Sequence, residues 1–128
     1  MAIRELHEQY GDAVRRHNAD EWILCWAEDA TWAYRGGEIT GRDAIRARWI
    51  QAMEAYKFIN FLTQPGATIV SGNRATVRCH TIEFMQPVEG PDRWQFGQYD
   101  DELIKTNGIW LYQKRTFTVR ATAAAPPL

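Results

Sequence analysis

Three tyrosines, two arginines and two acids are the side chains whose types could do chemistry here. Tyr10, Tyr34 and Tyr99 each carry a phenol that can donate a hydrogen bond to a carbonyl or a developing enolate oxygen. That is the electrostatic half of isomerase, lyase and cyclase chemistry. Each can equally serve as a core ring with a satisfied hydroxyl. Arg15 and Arg115 can hold a carboxylate or phenolate, or be neutralised as buried pairs by Glu83 or Asp101. The proton acceptor is the open position: a tyrosinate beside an arginine, Asp101 or Glu83 could fill it. Other chemistries are poorly supplied. His7, His17 and His80 are scattered without HxH or HxxxH spacing, so no metal site is expected. Ser71 is the only serine and falls in a turn signal, and no glycine-rich loop is placed to cradle phosphate. Cys25 and Cys79 lack CxxC spacing and read as buried, reduced thiols.

These groups must be positioned by a single domain, because 128 residues with 45% hydrophobic and 24% charged side chains suit one soluble globular core. A net charge of -1 and a pI near 6.3 leave no basic field for nucleic acid. No apolar run reaches the roughly 18 residues of a membrane span, and the first residues are amphipathic without a signal-peptide core, so a cytoplasmic location and no membrane partner are expected. Six tryptophans, five tyrosines and five phenylalanines either line a hydrophobic cavity or fill a core.

Apolar residues at Ile3, Leu6, Tyr10, Ala13 and Val14 predict a first helix to about His17. Asn18 or Asp20 caps a short second helix, DEWILCWAED, facing inward with Trp22, Ile23, Cys25 and Trp26. TWAYR reads as a strand turned back at Gly36-Gly37 into EIT, and a third helix runs from Arg42 to about Glu54. The strands KFINFLT and ATIV are separated at Pro65-Gly66, ATVRCHTIEFM and RWQFGQYDDELIK follow, and Asn107-Gly108 turns the chain into IWLYQKRTFTVRA. Helices first and long antiparallel strands afterwards is the α+β pattern. The expected fold is three N-terminal helices packed into a strongly curved, mixed but mostly antiparallel sheet, a cone-shaped half-barrel with a central cavity. The domain spans 1–121, with 122–128 as a flexible tail.

Strand alternation assigns faces. Ala75, Val77, Cys79, Thr81, Glu83 and Met85 should face the helices, as should Ile109, Leu111, Gln113, Arg115, Phe117 and Val119 in the last strand. Residues 93–105 mix polar and apolar groups on both faces. Exposing Trp94, Phe96 and Ile104 to water is costly, which predicts a homodimer through the sheet.

The stretches YGDAVRRHNADEWILCWAEDATW, ITGRDAIRARW and GQYDDELIKTNGIWLYQKRTF resemble the nuclear transport factor 2-like superfamily, in its SnoaL-like branch with scytalone dehydratase, ketosteroid isomerase and polyketide cyclase relatives. The resemblance covers nearly the whole chain. It implies a cone fold and places cavity-lining positions on Tyr10, Val14, Trp32, Tyr34, Phe58, Tyr99, Arg115, Phe117 and Val119. Tyr10 stands where ketosteroid isomerases hold an oxyanion, and Tyr34 where scytalone dehydratase positions a water. The family's Asp-His dyad falls on Arg15 and Asn60, neither of which can act as a base.

Together these readings predict a cofactor-independent enzyme for an apolar, aromatic or polycyclic oxygenated substrate, doing dehydratase, isomerase, lyase or cyclase chemistry without the dyad. Tyr10, Arg15, Tyr34 and Asn60 are its expected catalytic residues. Val14, Trp32, Phe58, Cys79, Glu83, Tyr99, Asp101, Arg115, Phe117 and Val119 are expected to bind substrate. The alternative is a ligand-binding protein of the same fold that has lost catalysis.

Overall fold

The computed structural model describes residues 2–126. Its elements are α1 (Ile3–Arg15), α2 (Ala19–Ile23), β1 (Trp26–Tyr34), β2 (Gly37–Thr40), α3 (Arg42–Met53), β3 (Tyr56–Ser71), β4 (Arg74–Pro87), β5 (Arg93–Thr106) and β6 (Ile109–Ala124). The strands form one sheet in the order β2-β1-β6-β5-β4-β3. Every pairing is antiparallel except β1 with β6. The fold is therefore the expected α+β cone: three helices against a curved, mixed, mostly antiparallel sheet that stays open at β2 and β3.

The helical stripe of α1 buries Leu6, His7, Tyr10, Gly11, Ala13 and Val14 against the sheet. Gly11 leaves room for the Arg15 side chain, since a Cβ there would stand 3.2 Å from Arg15 Nη1. Asn18 caps α2 by accepting from the Glu21 amide at 3.0 Å. That helix is shorter than the sequence suggested. It stops at Ile23 because the Cys25 carbonyl is taken by the Tyr112 amide at 2.9 Å, and Trp26 already pairs with Tyr112 in the sheet. Trp22 stacks on Trp49 of α3 with centroids 4.7 Å apart, which locks the two helices together.

Several strand boundaries also move. Pro65-Gly66 does not divide β3 but sits in a register shift between Pro65 and Thr68. Proline is tolerated there because β3 is an edge strand and the bulge absorbs its missing donor. The β1–β2 turn centres on Arg35-Gly36 rather than Gly36-Gly37, since Tyr34 pairs with Gly37. Thr122, Ala123 and Ala124, placed in the tail from sequence, continue β6 opposite Gln95, Trp94 and Arg93. Residues 127 and 128 of that tail lie outside the described residues.

On β4 the odd residues from Ala75 to Met85 are buried, as alternation predicts. On β5, whose inward face the sequence left undecided, Gln95, Gly97, Tyr99, Asp101 and Leu103 point inward. On β6 the simple alternation fails. Trp110 and Tyr112 are buried, and then Arg115, because the register slips between Glu102 and Leu103. This bulge reverses the inward parity, so Ile109 is exposed and Tyr112 takes the core position.

Candidate functional site

The sheet and helices enclose two layers, a sealed polar floor and a cavity above it. The floor is built around Arg115, which is 0% exposed. Its Nε and Nη2 donate to the two carboxylate oxygens of Asp101 at 2.7 and 3.0 Å. The two residues sit directly opposite each other on β5 and β6. The guanidinium also lies 3.6, 4.0 and 4.5 Å from the ring centroids of Tyr99, Tyr112 and Tyr10. Burial works against its charge, yet the Asp101 carboxylate and these phenols hold Arg115 well above its ordinary pKa. A fork-to-fork ion pair inside an aromatic cage is a structural solution to a buried charge. The two charges neutralise each other, while Arg115 Nη1 is buried without a hydrogen-bond partner.

The phenols of the floor are equally committed. Tyr10 and Tyr99 share a hydrogen bond of 3.4 Å, and Tyr112 shares one of 2.6 Å with His7 Nδ1. Burial raises the Tyr10 and Tyr99 phenols above their ordinary value, which removes a tyrosinate there as the proton acceptor. Burial, with the Arg115 charge adding to it, lowers His7 to about 3, so its imidazole is neutral. The Cys25 thiol is pushed up to about 12 by burial and is no nucleophile at neutral pH.

Above this floor lies a cavity of about 330 Å³, at the small end of ligand sites. Its apolar wall comes from Val14, Trp32, Trp49, Ile59, Phe61 and Phe117. Phe117 can lean in because Gly97 has no side chain. A Cβ at Gly97 would collide with the Phe117 ring and stand 2.7 Å from Thr81 Oγ1.

Three polar devices reach the cavity. Glu83, on the inward face of β4, is 7% exposed and lines it. Desolvation raises its carboxyl from 4.5 to about 7, against hydrogen bonding from Gln95 and the Arg93 charge. Tyr34 accepts from Arg48 Nε at 2.5 Å, and Tyr56 accepts from Arg93 Nη2 at 2.8 Å. In both pairs the guanidinium carbon also stands 5.6 Å from the phenol ring. Each phenol oxygen is thus fixed by an arginine while its own hydrogen stays available to donate.

The sequence-derived site residues divide accordingly. Tyr10, Val14, Trp32, Tyr34, Glu83, Tyr99 and Phe117 line the cavity together. Arg15 does not: its Nη1 donates to the Phe61 carbonyl at 2.6 Å across the Gly11 notch, and it ties α1 to β3. Asn60 and Phe58 fall on the outer face, since Ile59 and Phe61 are the buried residues of that stretch. Phe58 is 38% exposed. Asp101 and Arg115 are spent on each other in the floor. Cys79 is buried beneath the cavity without lining it. Val119 borders an open groove that adjoins the cavity and shares Tyr34, Arg35, Gln95 and Phe117 with it. Arg48, Tyr56 and Gln95 were not singled out from sequence. Arg48 was within reach, since it precedes Trp49 and lies four residues before Ala52 on the stripe of α3.

Among the described residues no helix is long and apolar enough to cross a membrane, and no cluster of His, Cys, Asp and Glu could hold a metal ion. The SnoaL-like domain family matches residues 1–116. No curated protein matches the sequence. Among solved structures, a candidate scytalone dehydratase from Novosphingobium aromaticivorans DSM 12444 is 22% identical with a TM-score of 0.88, covering 99% of this chain and 87% of its own. A hexachlorocyclohexane dehydrochlorinase, LinA-type3 of Novosphingobium barchaimii LL02, is 16% identical with a TM-score of 0.84, covering 99% and 90%. An NTF2-like protein with a cystatin-like fold from Novosphingobium aromaticivorans is 27% identical with a TM-score of 0.73, covering 92% and 79%.

Proposed function

Because this chain belongs to the SnoaL-like domain family, we propose that it is a cofactor-independent enzyme of the dehydratase, isomerase, lyase or cyclase type. It moves a proton on an apolar, oxygenated, ring-bearing molecule held in the cone, and Glu83 carries the proton. The observation behind this reading is a buried carboxyl, raised to about 7, in a cavity that also holds two arginine-fixed phenols. A base is most effective when its pKa lies near the working pH, and burial that outweighs the Gln95 hydrogen bond and the Arg93 charge is what brings this carboxyl there.

In this scheme ionised Glu83 removes a C–H proton next to a carbonyl. The electron pair moves onto the carbonyl oxygen, where the Tyr34 or Tyr56 hydroxyl stabilises the enolate by hydrogen bonding. Protonated Glu83 then returns the proton to another carbon, which is isomerisation, or gives it to a departing β-hydroxyl, which is dehydration. The dehydratase and dehydrochlorinase activities named for the structural neighbours are eliminations of the same general form. The missing Asp-His dyad is replaced in function by one carboxyl on β4.

Two supporting readings accompany it. The outer face of the sheet exposes Leu62, Ile82, Trp94 and Phe96, which fall side by side in the strand register. A second copy of the chain covering this patch gives a homodimer through the sheet. Two buried free thiols fit a reducing, cytoplasmic setting.

The direct test is hydrogen exchange on a generic probe. 2-Tetralone, a bicyclic ketone with acidic α-hydrogens, is incubated with the protein in D2O and its α-deuteration followed by NMR. The expected result is protein-dependent exchange that Glu83→Gln lowers by roughly 10²–10⁴-fold. Exchange that Glu83→Gln leaves unchanged would sink the assignment, and bound but unexchanged ketone would favour a ligand-binding protein.

A further inference from the structure

The cavity and its mouth are unbalanced in charge. Among the described residues Glu83 is the only acid lining the cavity, against Arg35 and Arg48, and Arg93 joins Arg35 on the adjoining groove. Glu38, which lines that groove, is engaged by Lys114 at 3.3 Å. Among the described residues none of Arg35, Arg48 and Arg93 forms an ion pair.

Arg35 is also held in an unusual backbone state. It has φ 45° and is followed by Gly36 at φ 76°, a two-residue hairpin with both central residues left-handed. Such turns favour Asn, Asp or Gly at the first position. A long cationic side chain placed there, at the junction of cavity and groove, is what an anion-receiving role needs.

The geometry points to a substrate that bears a carboxylate, seated among Arg35, Arg48 and Arg93 where the cavity meets the groove, with its ring inside against Trp32 and Phe117. This deepens the proton-transfer reading and rests on it. Planar carboxylates suit the guanidinium fork, and Arg48 and Arg93 each keep further N–H groups beyond those Arg48 gives to Tyr34 and to Gln51 Oε1 and Arg93 gives to Tyr56. Fixing the anionic end at the mouth leaves the reacting carbon between Glu83 and the two phenols, so the same arginines orient the phenols and the substrate.

Binding of 2-naphthoate and of its neutral near-isostere 2-naphthamide, measured by calorimetry at low and high NaCl, tests this. The expected result is at least roughly tenfold tighter binding of the naphthoate, shrinking as salt rises. Arg35→Gly, which suits the turn, should erode the preference while naphthamide affinity holds, and Arg48→Met should erode the preference as well. Equal affinity for the two probes, or a preference untouched by both substitutions, overturns the carboxylate assignment. Failure here with 2-tetralone exchange intact leaves the Glu83 mechanism standing. A naphthoate preference without exchange removes the mechanism instead.

Discussion

Glu83→Gln should change how stability depends on pH, and the sign and size follow from where the carboxyl sits. Its pKa rises from an ordinary 4.5 to about 7 in the folded protein, so the native state binds more protons than the unfolded chain between those values. Stability from this group is therefore fully present below pH 4.5 and is lost as pH rises through about 7. The loss is the shift times 1.36 kcal/mol per unit, or about 3 kcal/mol by pH 8. Glutamine is nearly isosteric with the protonated acid and does not ionise. The variant should match the parent near pH 4.5 and exceed it by about 3 kcal/mol at pH 8. For 128 residues at about 2.1 cal/mol/K each, that is roughly a 10 °C higher Tm. Thermal and urea unfolding from pH 4.5 to 8.5, followed by tryptophan fluorescence, gives the difference curve, from which titrations common to both proteins cancel. A difference that stays constant over this range would refute the reasoning, because it would mean that the carboxyl is not desolvated by the fold.

Three other outcomes are expected. Asp101→Asn strands the buried Arg115 charge and should cost about 3–5 kcal/mol, or roughly 10–20 °C in Tm; a loss below about 1 kcal/mol would show that the cage alone holds the guanidinium. Arg15→Met removes the bond to the Phe61 carbonyl and should lower stability by about 1–3 kcal/mol with 2-tetralone exchange unchanged, whereas a selective loss of exchange would return Arg15 to the chemistry. Phe96→Asp places a charge in the exposed apolar patch and should convert a dimer to a monomer in sedimentation experiments; an unaltered assembly would place the contact elsewhere.

The first and third helices, the Asn107-Gly108 hairpin and the inward face of β4 were legible in the sequence because each rests on local periodicity or a local turn signal, whereas the end of α2 and the β1–β2 turn were set by strand pairing. So was the pairing of acids with arginines, left open between Glu83 and Asp101 as partners for Arg115. What decides between them is register. Asp101 lies opposite Arg115 across β5 and β6, while Glu83 lies opposite Gln95 on β5 and Phe61 on β3, and the Arg93 charge only partly offsets its burial. Register slips are invisible to alternation, which is why Tyr112 was read on the wrong face of β6. Arg15 illustrates another limit. Its place on the helix was right for a pocket residue, but the missing side chain of a glycine one turn earlier leaves room for the guanidinium to reach a backbone carbonyl instead. Tyr56 and Gln95 depend on the curvature of the sheet, which gathers distant strands around one void.

The central claim is that one cavity carboxyl changes charge near neutral pH. Its most direct test is a 13C NMR titration of the glutamate side-chain carboxyls, with the Glu83 resonance assigned by its disappearance in Glu83→Gln. A midpoint near 7 for that resonance is predicted. A midpoint of about 4.3, that of an ordinary solvated glutamate, would contradict the account.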